Sequence, residues 1–549
     1  MGYQDKKSNF LMQGTILAFA GLIVRLIGVF YRIPMINIIG EEGNGYYTSA
    51  YNIYSLFLIL SSYSFPVALS KILSYKFSKR AYANAYSTFK ISLIIATIIG
   101  LIMFLIMYFG SDFIANLVGK PFLKFSLRVF APTLWVMAYL SVFRGLFQGT
   151  GTMMPTAISQ IFEQIVNAII SIVFCYILFN RGLLANVIYE SNQYSYAFGS
   201  KGATIGTFAG ASIALVILLI MYLSLAPRLK YYASKSTKTE SNKEILQSIF
   251  FTVTPIIMSS TIYNIFSVVS DICYSNIILR IGNSATMNQN WGIYGEFHLL
   301  FNIPVAIASA LTSSAIPAIT AAIAKRDGME ASNRIKYSIR FTLLILLPAF
   351  VGLSALASPI SKCLFNAFDD NLLVNLIRVG SASIVLYGIT TITSGILQSI
   401  SLMKKPIIHG AISLVVSTIS LIVMLIVFKL DIYSVVIANT IFPLIISILN
   451  IITIIKVVHY RMNIFSALIL PTCISFIMGS ITFFVYNFIE STLPSFFSQN
   501  TIGLIFTLLF CIILAFFIYL VLIIILGVVR KEDANYLPLF SKIKKVLRQ

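Results

Sequence analysis

The chain has 549 residues, of which 58% are hydrophobic and 10% charged, against about 25% charged in an ordinary soluble domain. With a mean hydropathy of +0.90 and 43 Phe, 29 Tyr and 16 Met, apolar residues recur along its whole length, which excludes a water-soluble globule. The net charge of +21 would suit a nucleic-acid partner, but its placement follows the membrane instead, and no nucleic acid is expected. The composition predicts an all-α polytopic membrane protein, because the long apolar runs do not alternate as barrel strands do.

A hydrocarbon core about 30 Å thick takes roughly 20 helical residues per crossing. On that measure fourteen transmembrane segments are predicted in chain order. The first six fall at 10–37, 46–70, 88–109, 123–147, 155–179 and 202–226. The next six fall at 246–278, 292–323, 337–358, 374–402, 406–428 and 433–455, and the last two at 464–489 and 501–529. The longest predicted loop is about 180–201. The first run carries Arg25 and Arg32 and no small-residue cleavage pattern, so it reads as a crossing and not as a removable leader. Four of the five cysteines, Cys175, Cys273, Cys473 and Cys511, fall inside apolar runs, and neither a disulfide framework nor a metal spacing follows.

An even count puts both termini on one side, and Lys and Arg in the short flanks say which. Of the 39, 27 lie on the amino-terminal side, in clusters such as Lys71 to Lys90, Arg228 to Lys243 and Lys325 to Arg340. Nine lie opposite, and the bias alternates at nearly every loop, so both termini are expected to be cytoplasmic. In the carboxyl tail, Leu537, Phe540, Ile543 and Leu547 recur at helical spacing opposite Lys542, Lys544, Lys545 and Arg548. That pattern fits either an interfacial helix on anionic membrane lipids or a basic tail that only obeys the orientation rule.

The chain also repeats itself at an offset of about 250 residues. SFPVALSK at 64–71 matches AIPAITAA at 315–322, aligning Pro66 with Pro317. GLFQGTGTMMP at 145–155 matches GILQSISLMKKP at 395–406, aligning Gly145 with Gly395, Gln148 with Gln398 and Pro155 with Pro406. Collinear matches predict two six-helix lobes, an N-lobe at 1–230 and a C-lobe at 231–460, followed by helices 13 and 14 with the basic tail at 461–549. Six crossings return the chain to its starting side, so the repeats are parallel and enclose a central cavity, with alternating access by rocking.

Polar residues at bilayer depth mark what such a cavity receives, since a charge there costs at least about 2.5 to 3.5 kcal/mol. Arg25 and Arg32, seven residues apart in the first crossing, share a helical face. Arg32 either extends a cationic stripe with Arg25 or snorkels to the outer interface. Ser260, Asn264, Ser267 and Asp271 form one face of the seventh segment, Gln160, Gln164 and Asn167 lie beside Glu163 in the fifth, His298 and Asn302 are paired in the eighth, and Gln398 lies in the tenth. For Asp271 and Glu163 three roles stay open: pairing with Arg25, holding a coupling Na+ or H+, or balancing a basic residue structurally. No other cofactor is expected. Walker, zinc-site and nucleophile-elbow motifs are absent, so no enzyme is read. GTGT at 149–152 reads as a helix end in a turn.

The stretch Gln13 to Lys71, with VRLIG at 24–28, YRIP at 31–34, GEEGNGYY at 40–47 and FPVALSK at 65–71, resembles the opening of the lipid II flippase family of low-GC Gram-positive bacteria, the MurJ and stage V sporulation protein B type. That family belongs to the superfamily of multidrug, oligosaccharidyl-lipid and polysaccharide exporters, and the fourteen-helix layout extends the likeness over the full length. The resemblance implies a MATE-like fold and export of an undecaprenyl-diphosphate-linked sugar from the inner to the outer leaflet. It also implies that Arg25 matches the arginine family members place in helix 1 facing the cavity. Gram-negative members carry an arginine pair in helix 2, where this chain has LFLILSS at 56–62, so phosphate binding falls to other positions.

Substrate contacts are accordingly expected from Arg25, Arg32, Asn264, Asp271, Gln148, Gln398, His298 and Asn302, in a monomer whose partners are the lipid-linked oligosaccharide and anionic lipids. The chief rival is a cation-coupled multidrug and toxin antiporter of the same superfamily, centred on Asp271 with Tyr263 and Tyr274. A membrane glycan polymerase would need large polar outer loops, which this sequence lacks.

Overall fold

A computed structural model of the chain describes residues 3–282, 284–325, 327–365, 371–458, 465–492 and 501–528, and among these there are helices and no strand. The amphipathic tail pattern at 537–548 lies outside the described residues. In chain order the helices are α1 Tyr3–Leu58, α2 Phe65–Ser78, α3 Tyr82–Phe109, α4 Ser111–Val118, α5 Lys124–Gly149, α6 Met154–Ile188, α7 Gln193–Ser234, α8 Asn242–Ile281 and α9 Ser284–Ala324. They continue as α10 Gly328–Ala355, α11 Ala357–Phe365, α12 Asn371–Gly380, α13 Ala382–Ser399, α14 Lys404–Ile426, α15 Ile432–Val458, α16 Leu470–Thr492 and α17 Thr501–Ile525. Twelve helical stretches among the described residues are long and apolar enough to cross a bilayer, or thirteen with the pair α12 and α13, which bends by 41°.

Local sequence accounts for the breaks. Helix α1 is interrupted at Gly40, whose φ of 66° is open to glycine and strained for other residues. The GTGT stretch is a turn, as its glycines predict: α5 ends at Gly149, Gly151 takes a φ of 88° and α6 starts at Met154 with Pro155 in its first turn. The long loop expected at 180–201 is a correction. Helix α6 runs on to Ile188 and α7 begins at Gln193, because apolar length says where a helix leaves the bilayer and not where its hydrogen bonding stops. Two short helices escaped the hydropathy reading, α4 after α3 and α11 after α10.

By contacts the chain divides into two compact units, Met1–Gly295 and Glu296–Gln549. In the first, α6 and α7 pack along their length through a stripe of small residues. A Cβ at Gly202 would collide with the Phe174 carbonyl, at Gly206 with Ser171 Oγ and at Gly210 with the Glu163 carbonyl, the small-residue device that brings membrane helices together where water supplies no driving force. An apolar cluster of Phe65, Leu69, Phe89, Phe143 and Leu218 takes in Ile245 and Ile249 from the start of α8. The linker before α8 is docked on the same unit: buried Lys76 donates to Thr88 Oγ1 at 2.8 Å and pairs with Glu240, while Asn84 Oδ1 accepts from the Thr239 amide at 3.1 Å. Ser241 and Glu244 close a capping box that starts the helix.

In the second unit α10 packs on α13 and α16, and α15 on α13 and α14. Buried Asn450 of α15 donates to Thr393 and Ser394 of α13 and accepts from His409 of α14 at 2.7 Å. Tyr519 of α17 donates to the Leu344 carbonyl of α10 at 2.8 Å, and Leu344, Ile474 and Met478 bury its ring.

Candidate functional site

Beyond Gly40, Tyr47, Tyr51 and Tyr54 follow i, i+4, i+7, which sets three rings on one side of α1. Tyr54 stacks on Phe130 of α5 at 4.4 Å between ring centroids, and Phe130 meets the edge of Tyr51 at 6.3 Å. The chain folds back at Gly40 so that Arg32, from before the break, lies over these rings. Its guanidinium carbon is 4.5 Å from the Tyr51 centroid and 5.3 Å from that of Tyr47. The Tyr47 hydroxyl lies 3.4 Å from that of Tyr31, which accepts from Asn167 of α6 at 3.3 Å. Arg25 sits two turns earlier on α1 and is exposed.

Arg32 is half-buried and has no carboxylate in ion-pair reach among the described residues, whereas three other cations in this unit are each matched. Arg144 of α5 donates to Glu163 of α6 at 2.6 Å and to Ser159 Oγ at 3.2 Å. Lys76 holds Glu240. Lys120 donates to Asp271 of α8 at 2.9 Å and to Ser49 Oγ at 2.8 Å, with both members of the ion pair under 3% exposed. Trp291 caps that pair, its ring centroid 4.9 Å from Lys120 Nζ.

The sequence-predicted residues thus separate. Arg25, Arg32, Gln148, Glu163, Asn264 and Asp271 belong to the first unit, and His298, Asn302 and Gln398 to the second. Glu163 is paired with Arg144 and Asp271 with Lys120. Asn264 turns its amide to the Ser260 carbonyl of its own helix at 2.8 Å and is exposed. Gln148 Nε2 is 3.5 Å from Thr156 Oγ1. Asn302 Nδ2 is 2.9 Å from His298 Nδ1, and Gln398 is exposed. Among the described residues no group of three His, Cys, Asp or Glu could hold a metal.

Sequence reasoning missed Lys120, counted only as a flank charge, because its partner is 151 residues away. It also missed the tyrosine platform, whose i, i+4, i+7 spacing was a readable signal. A third omission is the junction of α1 with the start of α9. There Asn44 donates to the Gly292 carbonyl at 2.7 Å and Asn288 to the Glu42 carbonyl at 2.7 Å. A Cβ at Gly45 would strike the Asn288 carbonyl, and one at Gly292 the Glu41 carbonyl.

The profile of the family described as Polysaccharide biosynthesis protein matches residues 10–323. The chain is 25% identical over 432 residues to the lipid II flippase MurJ of Bacillus subtilis (strain 168), covering 74% of this chain and 76% of that one. It is 23% identical over 416 residues to stage V sporulation protein B of the same organism, covering 75% and 77%. Among solved structures, lipid II flippase MurJ in an inward closed conformation aligns with a TM-score of 0.61 at 16% identity, over 93% of this chain and 98% of that one. An inward-facing multidrug resistance MATE family transporter of the MOP superfamily aligns with a TM-score of 0.63 at 16% identity, over 80% and 98%. These likenesses carry a MATE-like, MurJ-like fold, and with the profile covering more than half of its length the chain belongs to the polysaccharide biosynthesis protein family, within which it resembles the MurJ and stage V sporulation protein B type.

Proposed function

We propose that the chain is a flippase that exports an undecaprenyl-diphosphate-linked sugar, lipid II or a related polysaccharide precursor, from the inner to the outer leaflet by alternating access. The observation that carries the reading is the Arg32 guanidinium, laid on Tyr51 and Tyr47 with no carboxylate partner among the described residues. A diphosphate crossing hydrocarbon unaided meets a prohibitive desolvation cost, and an arginine with its charge uncommitted offers planar paired donors to it. Arg25 supplies a second cation on the same helix. Gln148, Asn264, Asp271, His298, Asn302 and Gln398 enter the proposal as further headgroup contacts.

Fourteen crossings in the plasma membrane, with both termini cytoplasmic, fit this reading. The Phe19–Ser78 stretch of 60 residues would be about 90 Å long as one helix, so its break at Gly40 divides it into two crossings. The lobes at 1–230 and 231–460 belong to the proposal, and because one chain carries both it acts as a monomer. No enzyme step is required of it. Coupling to Na+ or H+ is an option at Asp271, whose Oδ2 is buried without a hydrogen-bond partner, or at Glu163, although a cation at either would compete with Lys120 or Arg144. The antiporter alternative is weakened by the same pairing, since an acid already matched by lysine does not present a net negative site to an organic cation.

Complementation tests the proposal. In a bacterium depleted of its lipid II flippase, this chain should restore outer-leaflet lipid II, and Arg25→Ala and Arg32→Ala should each fail while reaching the membrane at normal levels. A wild-type chain that inserts yet restores no outer-leaflet precursor overturns the assignment.

A further inference from the structure

We infer that Tyr51 is a positioning residue for Arg32, holding the guanidinium by its face so that its N–H edge is presented to a phosphate-bearing headgroup; this rests on the flippase reading above. A guanidinium has two recognition surfaces, a flat face that stacks on aromatic rings and a rim of in-plane donors that grips oxyanions. Here the face is occupied. The carbon lies 4.5 Å from the Tyr51 centroid, within the roughly 6 Å over which a ring quadrupole attracts a cation. The rim meets the Tyr31 hydroxyl but, among the described residues, no carboxylate, although the unit pairs Lys76, Lys120 and Arg144 with one acid each.

The platform is itself held. Tyr51 is braced by Tyr54 and Phe130, and Tyr47 is tethered through Tyr31 to Asn167 on α6, so the rings do not turn away when the guanidinium moves. A flexible side chain fixed beforehand loses less freedom on binding. Stacking also leaves the charge intact, whereas a carboxylate partner would compete with the phosphate. Tyr51 therefore does for Arg32 what an acid cannot: it orients the group without neutralising it.

The test uses the full-length chain purified in detergent, with undecaprenyl diphosphate as the probe and undecaprenol as the phosphate-free control, binding being read by native mass spectrometry. Tyr51→Phe keeps the quadrupole and should bind within about 2-fold of wild type, while Tyr51→Leu should weaken binding about 2- to 30-fold, the range cation–π contacts span. In an Arg32→Gln background Tyr51→Leu should add nothing. Because Tyr51→Leu can fail to fold, mono-, di- and trifluorinated phenylalanine at position 51 gives a second series of nearly constant shape. Affinity should fall stepwise with fluorination, and stay flat with Arg32→Gln.

A flat series in the wild-type background, or an equal loss with and without Arg32, overturns the positioning role and leaves the flippase reading standing. A wild-type chain that binds undecaprenyl diphosphate no better than undecaprenol overturns both.

Discussion

Lys120 is 2% exposed and donates to Asp271, which is 1% exposed. Removing one partner leaves the other charge buried without compensation, which costs about 3 to 5 kcal/mol, whereas replacing both with apolar groups of similar volume is often neutral or stabilising. Asp271→Asn should therefore lower the unfolding midpoint of the detergent-solubilised chain markedly, while the pair Lys120→Met with Asp271→Leu should recover most of it. A double variant as unstable as Asp271→Asn would show that the fold depends on the charges themselves.

Helix α8 shows what elements add. Its start is held by the clasp of Lys76, Asn84 and Glu240 and by Ile245 and Ile249 in the apolar cluster. Its far end is held by Asp271 on Lys120 and by Asn276, whose amide donates to the Leu117 carbonyl at 2.9 Å. Helix α8 is thus fastened at both ends to the helices that precede it in its own unit. At the seam of α6 and α7 close approach depends on Gly206. Gly206→Leu would have to displace Asn167 and Ser171, an overpacking cost of about 1 to 3 kcal/mol or more. Membrane-inserted yield of Gly206→Leu should fall severalfold while Gly21→Ala, with nothing within 4 Å of the added carbon, is expected to match wild type; equal yields would mean the seam tolerates separation.

The existence of these elements was legible because crossing a bilayer imposes a length: the run at 88–109 falls within α3, and that at 123–147 begins one residue before α5 and ends inside it. Their ends were not, since α6 and α7 keep their hydrogen bonding past the apolar stretch. The candidate site was half legible: Arg25 and Arg32 stand out as charges where charges are costly. The tyrosine spacing was readable but not its use: that Arg32 lies on these rings, and that Lys120 claims Asp271 from 151 residues away, depends on how distant parts of the chain meet.

For the whole molecule, the alternating Lys and Arg bias gives a topology prediction: in a cysteine-free background, Ser191→Cys should react with an impermeant maleimide in intact cells, and Lys238→Cys only after permeabilisation. The same orientation fixes the sign of any voltage effect. A headgroup of charge near minus two, moving outward from an inside-negative cell, gains about 4.6 kcal/mol per 100 mV, so the potential alone can drive export if no cation moves with it. In proteoliposomes with potassium clamped by valinomycin, outward movement of a fluorescent undecaprenyl-diphosphate sugar should accumulate under an inside-negative potential and only equilibrate at zero potential. Imposing a sodium or proton gradient at zero potential separates the alternatives. Accumulation under the gradient, abolished in Asp271→Asn but not in Glu163→Gln, would assign coupling to the acid whose Oδ2 has no partner; accumulation that follows voltage and ignores both gradients would leave Asp271 and Glu163 as structural counter-charges to Lys120 and Arg144.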